Sequence, residues 1–182
     1  MVRKLKHHEK KLLKKFDFLN YKCDNNAHEL KIMRKFYVQK REDYTSYNKL
    51  SRQIREIAHK LKDCDGDDAF RSEITSLLLN KLHALGIIPS KDSLMRASTV
   101  SASSFCRRRL PCVMKRAHMA ETLKAAVTFV EQGHVRVGPD TVRDPAFLVT
   151  RSLEDYVTWV PGSKIKQKVE DYNGMRDDYE DM

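Results

Sequence analysis

The chain has 182 residues, 41% hydrophobic and 33% charged, with a formal net charge of +10 and a pI near 9.5. That length holds one domain or two small ones around a modest core, and no run reaches the ~18 apolar residues of a membrane span. A cationic surplus this large points to a polyanionic partner, because each lysine or arginine that meets a phosphate releases counterions.

The charge is unevenly spread. Residues 1–62 hold 18 Lys+Arg against 7 Asp+Glu, and residues 96–151 hold 10 against 4. Between and after them, residues 63–95 hold 3 against 6 and residues 152–182 hold 4 against 8. Two basic regions alternating with two acidic ones predict two separate polyanion contacts. The four cysteines, Cys23, Cys64, Cys106 and Cys112, form no CxxC pair, so the spacing supports neither a zinc ribbon nor a thioredoxin-like site. The opening MVRKLKHHEKK has no apolar core of a secretory signal, and a soluble intracellular protein is expected.

Residues 2–19 form a basic arm with a helical stripe of Leu5, Leu12, Phe16 and Leu19. Arg3, Lys4, Lys6, His7 and His8 crowd its start and are candidate RNA contacts. The same pattern fits a surface helix with a solvated charged face, or an arm that follows a phosphate backbone and folds on binding; a membrane-surface helix is a third reading, disfavoured because the apolar face lacks tryptophan. Asn25 and Asn26 break the pattern, and a short helix over 29–39 is expected around Leu30, Met33 and Tyr37. Residues 43–62 predict a helix capped by Asp43, with Tyr47, Leu50, Ile54, Ile57 and Leu61 on one buried face. After an acidic turn, Asp68 caps a second helix whose apolar face is Phe70, Ile74, Leu77, Leu78, Leu82 and Leu85, and Gly86 stops it. The two helices are expected to form an antiparallel pair, followed by a loop or short strand over 89–103.

From Ser104 to Val149 the patterns crowd together. A helix capped by Ser103 or Ser104 buries Cys106, Leu110, Val113 and Ala117. It directs Arg107, Arg108, Arg109, Lys115 and Arg116 around the remaining surface. Pro111 either bends this helix or shortens it. A second helix over 120–132 packs Ala120, Leu123, Val127 and Val130, and Gly133 ends it. His134 to Val137 alternates with period two, so Val135 and Val137 point inward while His134 and Arg136 point out. Gly138-Pro139-Asp140 makes a turn, Thr141-Val142 returns, and Phe147-Leu148-Val149 reads as a further strand. Two helices on a small sheet would gather the arginine run, Lys115, Arg116, His134 and Arg136 on one surface. Guanidinium groups suit phosphates bidentately and stack on exposed bases, and a compact basic surface fits structured RNA.

RRLP followed by VEQGHVRVGPDTVRDPAFLV resembles the RNA-binding domain of small-subunit ribosomal protein number four. That resemblance implies an α+β fold, with a mainly helical N-terminal region followed by a module of two helices on a small β-sheet. Carried over by position, it implies that Arg107, Arg108, Arg109, His134 and Arg136 face RNA. The ends, MVRKLKHHEKKLLKKFDFL, REDYTSYNKL and EDYVTWV, are similar to a nucleolar branch of that family within the U-three small nucleolar ribonucleoprotein. The resemblance implies a ribosome-biogenesis factor of the small-subunit processome, in the nucleolus of the nucleus. Its implied partners are U-three small nucleolar RNA, precursor ribosomal RNA and a scaffold protein of the same particle. A structural rRNA-binding protein of the mature small subunit is the alternative.

The expected organisation is a basic arm over 1–40 and a helical region over 41–103. The RNA-binding module with its C-terminal segment covers 104–172, and an acidic tail covers 173–182. No GxSxG, P-loop or HExxH is present, and the paired acids Asp177 and Asp178 lack an apolar wall. Neither an enzyme, a metal, a cofactor, a small-molecule substrate nor a membrane is expected.

Overall fold

The structure, a computed structural model, describes residues 3–16, 18, 26–66 and 68–175. Leu19, Cys23, Asn25 and the acidic tail beyond residue 175 lie outside the described residues. The fold is α+β, and the chain divides into two compact units, Met1–Arg109 and Leu110–Met182.

The first unit is helical among its described residues. It contains α1 (His7–Lys15), α2 (Asn26–Lys35), α3 (Arg41–Asp63), α4 (Ala69–Ala84), α5 (Leu94–Ser98) and α6 (Ala102–Cys106). Helix α3 is the hub; α5 and α6 pack on it most extensively, then α1, and α4 touches it less. Its buried residues are Tyr44, Tyr47, Ser51, Ala58 and Leu61, whereas Leu50 and Ile57 stay 43% exposed. The core face is therefore rotated from the expected aliphatic stripe. Small residues at 51 and 58 let short helices approach closely, and Tyr47 stacks on Phe105 of α6 with ring centroids 5.7 Å apart. Asp43 does not cap α3: Lys40 holds that position and Asp43 sits in the first turn. Residues 89–103, expected as loop or strand, instead form α5 and the start of α6, burying Ala97, Val100 and Ala102.

Asp68 does cap α4, its carboxylate accepting from the Phe70 N–H at 2.9 Å. Helix α4 buries Leu79 and Leu82, but leaves Phe70 and Leu77 in solvent, so its expected core face is only partly used. Gly86 follows at φ +72°, the left-handed conformation that ends a helix at low cost only for glycine. A Cβ there would lie 2.8 Å from the Arg108 guanidinium carbon.

The second unit comprises α7 (Leu110–Arg116), α8 (Leu123–Glu131), β1 (Val135–Val137), β2 (Asp140–Thr141), β3 (Val157–Trp159) and α9 (Lys164–Asn173). The sheet order is β2-β1-β3, antiparallel throughout, with Arg136 opposite Thr141 on one side and Thr158 on the other. Val135 and Val137 point into a core with Leu110, Val113, Met114, Ala126, Val130, Val149 and Val157. Trp159 meets Phe129 of α8 edge-on, with ring centroids 5.8 Å apart. The third strand is 157–159, not 147–149. Phe147 instead offers its carbonyl to the Leu110 N–H at 2.9 Å.

The single helix expected over 104–117 is two helices, α6 and α7, separated by Arg107–Arg109. Pro111 sits in the first turn of α7, where its missing N–H removes no helical bond. It shortens the element and does not bend it. Met114 takes the buried position expected for Ala117, which is exposed.

Candidate nucleic-acid interface

Arg3, Lys4, Lys6, His7 and His8 are all exposed. Arg3 pairs with Glu9, whose carboxylate also accepts from the Lys6 backbone N–H at 2.8 Å. A nine-residue helix is marginal in water by itself. Here the end of α1 is fastened to α3. The Thr45 hydroxyl donates to the Lys15 carbonyl at 2.8 Å, and the Arg41 guanidinium lies 5.2 Å from the centre of the Phe16 ring. The arm thus carries His7 and His8 on an anchored helix, with Arg3, Lys4 and Lys6 just before its start.

The arginine run divides by burial. Arg107 is exposed, while Arg108 and Arg109 retain 5% and 3% of their accessible surface. Arg108 lies across the bare Cα of Gly86. Arg109 donates to the Asp43 carboxylate at 2.9 Å and to the Tyr47 hydroxyl at 3.3 Å, with its guanidinium 6.0 Å from the Tyr47 ring centre. Burial works against the Arg109 charge, but Tyr47 and Asp43 outweigh it and hold the guanidinium above its usual pKa. Burial likewise pushes the Tyr47 hydroxyl up. The expectation that all three arginines radiate from one helix fails because the helix breaks there; two of the side chains turn into the first unit.

Lys115, Arg116, His134 and Arg136 belong to the second unit, so the arginine run and these four form two subsets. Lys115 and Arg116 are exposed in the last turn of α7, where cations also favour the helix dipole. Arg116 pairs with Glu154 in the 3-10 turn that leads into β3. Arg136 is half-buried on the outward face of β1, its Nε donating to the Thr158 hydroxyl at 3.0 Å. His134 is also half-buried: its Nδ1 lies 3.0 Å from the Ser163 hydroxyl, which caps α9 by accepting from the Ile165 N–H at 3.2 Å. His134 therefore ties β1 to the C-terminal helix as well as facing outward.

Arg143 joins this second subset, although the sequence pattern does not single it out. It is exposed, and its Nε would be 3.0 Å from a Cβ at Gly133, the left-handed glycine before His134. The signal that could find it is the repeated Val-Arg of HVRV and TVRD, one on each arm of the hairpin.

A recess of about 450 Å³ in the first unit is lined by Arg71, Ser72, Thr75, Ser76, Asn80 and Lys91, among others, and among the described residues its lining holds no His, Cys or carboxylate. Among the described residues, no three His, Cys, Asp or Glu side chains could hold a metal ion together, and no helix is long and apolar enough to cross a membrane. The arrangement offers cations, hydroxyls and imidazoles, which is the chemistry of phosphate and base contact.

Residues 4–107 match the family of the ribosomal protein S4/S9 N-terminal domain, and residues 108–155 match the S4 domain. The chain is 59% identical to the Homo sapiens "U3 small nucleolar ribonucleoprotein protein IMP3", across 99% of this chain and 98% of that one. It is 50% identical to the Saccharomyces cerevisiae protein of the same name, across 99% of each. Against "Small ribosomal subunit protein uS4" of Hyperthermus butylicus the identity is 25%, across 74% of this chain and 76% of that one.

Proposed function

Because this chain belongs to the family of U3 small nucleolar ribonucleoprotein protein IMP3, we propose that it is an RNA-binding ribosome-biogenesis factor of the small-subunit processome. It helps pair U3 small nucleolar RNA with precursor ribosomal RNA during early small-subunit processing, beside a scaffold protein of the same particle, in the nucleolus. One observation carries this reading over a place in the mature subunit. Identity averages 50% to 59% over 99% of the chain, whereas the likeness to the ribosomal protein is weaker and shorter.

The chemistry is binding and not catalysis. Two polyanionic strands repel each other, and a folded cationic surface lowers that repulsion and speeds their encounter. On the first unit, Arg3, Lys4, Lys6, His7, His8 and Arg107 make the RNA contacts. On the second, Lys115, Arg116, His134, Arg136 and Arg143 make them. Arg108 and Arg109 act at one remove, holding the turn from which Arg107 projects.

The test is crosslinking in cells with sequencing of the bound RNA, joined to sucrose-gradient fractionation. The expected result is adducts on U3 and precursor rRNA and sedimentation with precursor particles. Exclusive co-sedimentation with mature small subunits would overturn it.

A further inference from the structure

Helix α4 has one face too many for the fold it sits in. Leu79 and Leu82 are buried, while Phe70, Ile74 and Leu77 recur at three-and-four spacing on another side. Phe70 is 59% exposed, Leu77 is 56% exposed and Ile74 is half-buried. Single exposed apolar residues are ordinary; an aromatic and two aliphatics in one stripe mark a surface that another molecule covers.

The charge around the stripe identifies what covers it. Residues 63–95 carry 6 Asp+Glu against 3 Lys+Arg in a chain whose net charge is +10. Asp65 and Asp68 stand exposed just before the helix and Glu73 stands exposed beside Phe70; Arg71 is half-buried and donates to the Cys64 carbonyl at 2.9 Å, and Lys81 lies toward the far end. This sign repels the polyanion that the basic regions attract, so RNA is the wrong occupant. An apolar helical stripe flanked by carboxylates fits the apolar face of a second amphipathic helix whose flanks are basic.

We propose that Phe70, Ile74 and Leu77 of α4 dock a basic amphipathic helix of a partner protein. Leucine- or phenylalanine-sized anchors on that helix lie along the stripe, and its lysines or arginines meet Asp65, Asp68 and Glu73. The assignment stands apart from the RNA reading, because it uses an exposed surface whose charge is wrong for nucleic acid.

The experiment uses the full chain in cells, with the photo-reactive residue benzoylphenylalanine in place of Leu77, and maps adducts by mass spectrometry. The expected adduct is to a protein segment with apolar residues at helical spacing and flanking Lys or Arg. Phe70→Ser lowers the adduct yield by about tenfold, as for a central anchor of an interface. It leaves the melting temperature of the purified chain unchanged, because that side chain already faces solvent. Glu73→Lys lowers the yield as well. Adducts to RNA, to a second copy of this chain or to an acidic segment each overturn the proposal, as does the absence of any adduct.

Discussion

Arg108 and Arg109 show why residue type does not settle residue role. Three consecutive arginines look alike in the sequence, yet one is exposed and two are interior. Replacing Arg109 strands the Asp43 carboxylate and leaves the Tyr47 hydroxyl without that donor. Loss of one partner of a buried pair costs about 3–5 kcal/mol, and the residual exposure of Asp43 puts Arg109→Ala near the low end, about 3 kcal/mol. Urea denaturation measures it. Arg107→Ala is expected to leave the urea midpoint unchanged and to weaken RNA binding, so the two substitutions separate binding from folding. Tyr44 supplies a pH test. Burial raises its pKa from 10.0 to about 12, so the folded state keeps a proton that the unfolded state has released. The stabilising contribution is complete below pH 10 and disappears as pH rises through the folded value near 12. Denaturation midpoints measured at pH 8, 10 and 11 should fall, and Tyr44→Phe should flatten that decline.

At the scale of elements, the parts with strong local chemistry are legible in the sequence. Asp68 names the start of α4, Gly86 its end, and Gly138-Pro139 the hairpin turn, because each residue satisfies a backbone demand within a few positions. The third strand is not legible: 157–159 is a strand because it pairs with β1 some twenty residues earlier, and three residues carry no period of their own. Helix α9 is held by its Ser163 cap and by His134. Ser163→Ala removes both hydrogen bonds and is expected to cost about 1 kcal/mol locally. Hydrogen exchange should report faster exchange across α9 and little change in α8. The basic arm, α1 with the residues before it, gives the electrostatic test. Changing Lys4, Lys6, Lys10 and Lys11 to Gln should lower RNA affinity and reduce the slope of log affinity against log salt by about 0.7–0.9 for each phosphate that is no longer neutralised. An unchanged slope in filter-binding titrations would reduce α1 to a solvated surface helix.

The molecule as a whole answers to two kinds of information. Charge blocks predict two basic regions, and each compact unit carries exposed cations of its own. Neutralising Arg107 with the α1 lysines, or Arg116 with Arg136 and Arg143, should therefore each leave partial RNA binding. Both sets together should abolish it, as read by electrophoretic mobility at two salt concentrations. Pro111 leaves two readings open in the sequence, a bend or a shortened helix; what sequence could not supply is the inward turn of Arg109 at that break, since its partners Asp43 and Tyr47 lie more than sixty positions upstream. Each unit also contains a helix that stops on a left-handed glycine with an arginine laid over it, and the likeness ends there. The arginine over Gly86 is buried and has nowhere to go, while the one over Gly133 is exposed and can swing aside. Asparagine commonly deputises for glycine in this backbone conformation. In a library randomised at both codons, selected for folded protein, position 133 should return glycine with some asparagine. Position 86 should return glycine alone, which makes it the stricter mutational checkpoint of two helix ends that share the same backbone geometry.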